Sequence, residues 1–189
     1  MKGICLCIIS LFVSISLMGC GSNVQSTIKD YNDDDIAAIV KGREITIGEL
    51  RFLYPDEKVL DNINGFVKAE LVMQEAKIMH LDVSDNLNQT NKTMLTLSQK
   101  DTNDPTEKSN REFVDSQAQE FGMEPEEYYK KYLETTAELI AYINAYTQKM
   151  LGKPEVDKED GIQEYNNKAN DLLNELVREY ENEIEILIK

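Results

Sequence analysis

Ile36-Ala37-Ala38-Ile39-Val40-Lys41-Gly42-Arg43-Glu44-Ile45-Thr46 decides the fold. The apolar run Ile36 to Val40 has strand length, Lys41-Gly42-Arg43 supplies a glycine turn, and Glu44-Ile45-Thr46 returns, which is the pattern of a small β-hairpin. At the other end of the chain Glu183-Ile184-Glu185-Ile186 alternates strictly, as a strand with one buried face does, and its natural partner is the hairpin. The two ends of the domain are therefore expected to meet.

Between them the apolar period is helical. Thr46 followed by Glu49 fits a capping box, each side chain satisfying the other's free backbone N–H, so a short helix through Leu50 and Leu53 follows the hairpin. Pro55 interrupts it. Asp56 is placed to cap a longer helix whose Val59, Leu60, Ile63, Phe66, Val67, Leu71 and Met79 share one face, ending near His80. Ser84 caps a weaker helix toward Gln99, and Lys100 to Lys108 is a polar loop. Ser109 with Glu112 repeats the capping box, Phe113, Val114, Ala118 and Phe121 form a stripe, and Gly122 is placed as a C-terminal stop. Glu124-Pro125 opens the longest helix, proline being tolerated at the first helical position, and Gly152 and Pro154 end it after Leu151. A last helix from about Asp157 carries Ile162, Tyr165, Ala169, Leu172, Leu173, Leu176, Val177 and Tyr180. The expected class is mainly α, with a small β-element formed by the N-terminal hairpin and the C-terminal strand.

Ahead of this domain, Met1-Lys2 opens an apolar segment, Ile4 to Leu17, that closes on Leu17-Met18-Gly19-Cys20. A charged start, an apolar middle and a small-residue exit make a signal peptide. The run is short of the roughly 20 residues that cross a bilayer. Its last four residues resemble the bacterial lipobox, which implies removal of residues 1–19, a diacylglyceryl group on the Cys20 thiol, and anchorage to the outer face of the bacterial cell membrane. Two or three acyl chains hold a protein durably where one binds only marginally. Cleavage also removes Cys5 and Cys7, so no disulfide is available and the core alone must hold the domain. Residues 20–35 are polar, end in Asp33-Asp34-Asp35 and show no period, so they read as a tether, with one domain over 36–189.

The net charge is −15, and cleavage makes it one unit more negative by removing Lys2. This argues against nucleic acid and against adhesion to anionic lipid, and favours solubility or partners bearing basic surface. His80 is the sole histidine and sits at an expected helix end, which suits a structural role. Metal sites built from His and Cys are excluded by count. Asp30, Asn32 and Asp34 begin like a calcium loop, but Asp35 stands where glycine is needed and Lys41 where the bidentate glutamate belongs. Ser26-Thr27-Ile28-Lys29 and Ser84-Asp85-Asn86 match two of the three motifs of penicillin-recognising serine enzymes, but the K-T-G motif is missing and the first match lies in the tether. No phosphate loop, G-x-G-x-x-G or H-E-x-x-H occurs. No cofactor and no enzyme activity are expected; carboxylate pairs are the sole chemistry left.

The order of parts resembles a known family. Ala37 to Thr46, a helix led by Glu49-Leu50, then Leu71-Val72-Met73-Gln74-Glu75-Ala76 and Leu81-Asp82-Val83-Ser84, resemble the N-terminal chaperone module of SurA-like and PrsA-like proteins, and Phe121-Gly122-Met123-Glu124-Pro125-Glu126-Glu127-Tyr128-Tyr129 is similar to a later helix start of that module. The resemblance covers about 36–151 plus the closing helix and strand. It implies a module that binds unfolded or extended exported polypeptides in an apolar groove. The family often inserts a parvulin-type prolyl isomerase before the final helix, but here only Lys153 to Gly161 occupies that place, so isomerase activity is not implied. Adaptable Met and Tyr side chains tolerate varied sequences, making Met73, Met79, Met123, Tyr128, Tyr129 and Tyr132 the candidate peptide-binding residues; each fits core packing as well. The rival expectation is a structural or adaptor lipoprotein that recognises one folded envelope partner.

Overall fold

The computed structural model describes residues 28–84, 87, 97, 103–154 and 160–188. The expected signal segment 1–19, Cys20, and most of the helix expected from Ser84 to Gln99 lie outside the described residues. The protein is mainly helical with a small three-stranded antiparallel sheet. Strands β1 (Ile36–Val40) and β2 (Arg43–Thr46) form the hairpin. Their turn places Lys41 at φ 48° and Gly42 at φ 81°, the left-handed pair that a two-residue hairpin turn requires. Strand β3 (Ile184–Ile186) pairs with β1 at Ala38↔Ile186, Ile39↔Glu185 and Val40↔Ile184, giving the order β2-β1-β3. The ends of the domain meet as the alternation of Ile184 and Ile186 indicates, because a strand with one apolar face must cover it.

Helix α1 (Ile47–Leu53) starts with the capping box intact: Glu49 N donates to Thr46 Oγ1 at 3.2 Å and Thr46 N donates to Glu49 Oε2 at 2.9 Å. Helix α2 (Asp56–Ile78) buries Val59, Ile63, Phe66, Val67, Glu70, Leu71, Val72 and Ala76. Two expectations for it are corrected. Asp56 is not the cap, because Pro55 occupies that position and the Asp56 carboxylate accepts from Arg51 Nε at 2.9 Å. Met79 leaves the apolar face, since the helix ends at Ile78 and the side chain is 37% exposed.

The α2 C-terminus is a Schellman closure, with Leu81 N donating to Ala76 O at 3.0 Å and His80 N to Lys77 O at 3.0 Å. His80 stands at φ 52°, where a Cβ is strained. A left-handed residue with a Cβ costs roughly 1–2 kcal/mol, and glycine gives back about 0.5–1 kcal/mol as unfolded-state entropy. His80→Gly should therefore raise stability by about 0.5 kcal/mol in urea unfolding; a loss of stability would contradict the strain.

Helix α3 (Pro105–Glu120) begins one turn earlier than Ser109, and the expected loop to Lys108 shortens accordingly. Asp104 is the true cap, its Oδ1 accepting from Thr106 N at 2.8 Å and Glu107 N at 3.0 Å, with Pro105 at the first helical position. Helix α4 (Pro125–Leu151) ends on Gly152 at φ 82°, and α5 (Gly161–Glu179) leads to β3.

Two apolar clusters result. The main one joins β1, β2, α1 and α2 to the second half of α4 and to Leu173 and Leu176 of α5. The smaller gathers Val114 and Ala118 of α3 and Tyr128 of α4. Phe52 and Tyr132 pack against both, so α4 runs along the two clusters in succession.

Residues 28–35, expected as part of a tether, pack against the domain instead. Ile28 is 4% exposed within the main core. Arg51 holds the segment after it, Nη2 donating to Ile28 O at 2.9 Å and Tyr31 O at 3.2 Å, and Nη1 to Asp33 Oδ1 at 2.6 Å. At Gly48 a Cβ would come within 3.1 Å of Asp33 Cβ, tighter than ordinary contact, so the close approach favours glycine. Residues 28–35 thus belong to the body. Polar clasps leave no hydrophobic period, which is why the segment reads as linker.

Candidate functional site

A cleft of about 510 Å3 opens among β2, α1, α2 and α4, within the range of small-ligand sites. The hairpin turn aims Arg43 across the start of α1, and the capping box fixes Glu49 beside it. The apolar wall comes from Phe52 and Leu53 of α1, Phe66 and Met73 of α2, and Leu139 of α4. Arg43, Glu49, Glu70, Lys77, Thr135 and Glu138 supply the polar lining.

Glu70 is 1% exposed. Its Oε1 accepts from Gln74 Nε2 at 2.8 Å and lies 3.4 Å from Arg43 Nε, while its Oε2 has no hydrogen-bond partner. Arg43 Nη2 donates to Glu49 Oε1 at 2.6 Å, and its buried Nη1 has no partner. Buried polar groups are nearly always satisfied, and leaving one unpaired costs roughly 1–3 kcal/mol. Two residues of the cleft lining therefore carry an unpaired acceptor and an unpaired donor, both atoms themselves buried. Lys77 Nζ lies 3.6 Å from Glu138 Oε1 and 5.0 Å from the centre of the Tyr142 ring. Two cations thus face three carboxylates.

Of the six candidate residues, Met73 alone lines the cleft, half-buried. Met79 is exposed at the end of α2, away from it. Met123 and Tyr129 are half-buried against the smaller cluster, and Tyr132 bridges the two clusters. Tyr128 is fully buried, its hydroxyl donating to Phe52 O at 2.8 Å and its ring 5.1 Å from Phe52 and 6.0 Å from Tyr132. It packs the core and faces no open groove. Burial pushes the Tyr128 phenol well above its ordinary range, and pushes those of Tyr54, Tyr132 and Tyr146 up as well.

Arg43, Glu70, Phe52 and Leu139 were not singled out by sequence. Glu70 had a readable signal: it recurs on the stripe of Ile63, Phe66 and Val67, where a charged residue is out of place. Among the described residues, no group of three or more His, Cys, Asp or Glu could hold a metal ion, and no helix is long and apolar enough to cross a membrane. No family model, curated protein or solved structure matches the chain.

Proposed function

We propose that the protein is a membrane-anchored, chaperone-like lipoprotein that binds unfolded or extended segments of exported polypeptides, without isomerase activity. The observation that carries this reading is the unpaired Glu70 oxygen and Arg43 N–H in a cleft walled by Phe52, Phe66, Met73 and Leu139. An extended main chain offers C=O groups to the Arg43 N–H once that 37% exposed side chain shifts, and the segment's side chains take the apolar wall beside Glu70. Main-chain pairing does not depend on sequence, and flexible Met73 adapts to the side chain presented. The lipobox-like end at Cys20 and the likeness of Ala37–Thr46 and the later segments to SurA-like modules support the same reading. The eight residues from Cys20 to Ile28 reach at most about 28 Å, holding the cleft near the membrane where exported chains emerge.

The test uses the mature chain with Cys20→Ser, mixed in excess with an unfolded client while light scattering is followed. Suppressed aggregation is expected, with proline isomerisation left at its spontaneous rate. Leu139→Lys, which sets a cation in the apolar wall, should lose most of the suppression while keeping its helical circular dichroism. An inert wild-type chain would refute the reading, and one folded partner retained stoichiometrically from membranes would favour an adaptor instead.

A further inference from the structure

The charges of the cleft say which segments it prefers, an inference that rests on the polypeptide-binding reading. Arg43 is divided between Glu49 and Glu70, at 2.6 Å and 3.4 Å, and Lys77 faces Glu138. The lining is left with one carboxylate in excess. The excess is not spread over a solvated surface. It ends on Glu70 Oε2, a partnerless oxygen of a side chain that is 2% exposed. A carboxylate oxygen in that setting accepts a hydrogen bond and gains most from a donor that is also charged.

From these groups we infer that the cleft selects segments presenting a lysine or arginine, the cationic head reaching the buried Glu70 carboxylate as the 37% exposed Arg43 side chain gives way, and the aliphatic stem lying along Phe52, Phe66 and Leu139. Long basic side chains lay their methylenes on apolar surface while the head seeks a polar partner, and aromatic faces attract the head further. The unpaired Arg43 N–H then takes a main-chain carbonyl of the same segment. A client glutamate would meet Glu49, Glu70 and Glu138 and be rejected. The net charge of −15 acts in the same direction at longer range, raising the encounter rate of basic segments at low ionic strength.

The experiment compares three extended peptides that differ at one central residue, lysine, norleucine or glutamate, binding to the Cys20→Ser mature chain by fluorescence anisotropy at low and high salt. The lysine peptide should bind about ten-fold or more tighter than the norleucine peptide at low salt, the worth of a charged hydrogen bond, and the glutamate peptide weakest. The ratio should shrink in high salt. Glu70→Gln, checked for native circular dichroism, should cut the lysine preference to a few-fold. Should that variant not fold, the exposed Glu138→Gln should lower the preference and serves in its place. Equal binding of lysine and norleucine peptides, or a preference that survives these variants, overturns the inference while polypeptide binding stands. If no peptide binds, the underlying reading falls with it.

Discussion

Tyr128→Ala is expected to lower the unfolding free energy by about 3–5 kcal/mol, the range for truncating a large buried aromatic. Tyr128 is fully buried, and it ties α4 to α1 and α3 through Phe52, Phe113 and Phe121, with ring centres 5.1, 6.2 and 6.3 Å away. Removing the ring leaves a cavity where the smaller cluster meets the main one, and the melting temperature should drop by roughly 6–20 °C. Tyr128→Phe keeps the ring but leaves Phe52 O, in the last turn of α1, without its donor. That change should cost about 1 kcal/mol. A small loss for Tyr128→Ala would mean that the smaller cluster is not coupled to the rest of the domain.

The phenol adds a pH signature. Burial is the main cause that holds it neutral above the ordinary tyrosine range near 10. A group whose folded pKa is raised gives stability that is present in full below the unfolded pKa and is lost as pH rises through the folded one. The contribution of this phenol should therefore stay level through neutral pH and fall above about 10, and Tyr128→Phe should flatten part of the alkaline loss of stability in urea titrations at stepped pH.

Arg43→Met and Glu70→Leu should have opposite consequences although they break the same ion pair. Arg43→Met leaves the Glu70 carboxylate with Gln74 as its remaining partner inside an apolar face. Breaking a fully buried pair costs about 3–5 kcal/mol; the Arg43 side chain is 37% exposed, so about 2–3 kcal/mol is expected. Glu70→Leu removes the partnerless oxygen, fits the stripe of Phe66, Val67 and Leu71, and leaves Arg43 its bond to Glu49. Its stability should lie within about 1 kcal/mol of wild type or above it, since apolar replacement of a buried charge is often neutral or better. The double variant should resemble Glu70→Leu. Such a result marks Glu70 as a group kept at a cost to stability, as functional sites commonly are. Equal losses in the two single variants would make Glu70 a structural residue.

Most of the described helices, the hairpin and several stops were legible locally, because backbone hydrogen bonding and capping act within a few residues, although α2 and α3 took other caps than expected. Thr46 with Glu49, Gly122, Pro125 and Gly152 do the same local work in the fold as in the sequence. Ser109 was expected to cap α3, but Asp104 caps it one turn earlier, with Pro105 at the first helical position. Even the long-range closure was legible, since Ile184 and Ile186 needed an apolar face and β1 offered one. The cleft was not, because its walls come from Arg43, Phe52, Glu70 and Leu139, on four elements, and no local rule relates them. Burial is likewise a property of the whole. Tyr128 and Tyr132 look alike one helical turn apart, yet Tyr128 lies fully inside while Tyr132 keeps part of its surface, because only packing decides how much of a helix face a neighbour covers. Glu70 joins the two levels: its place on the apolar stripe was written in the spacing, but its unpaired oxygen exists because β2 brings a single arginine to two glutamates.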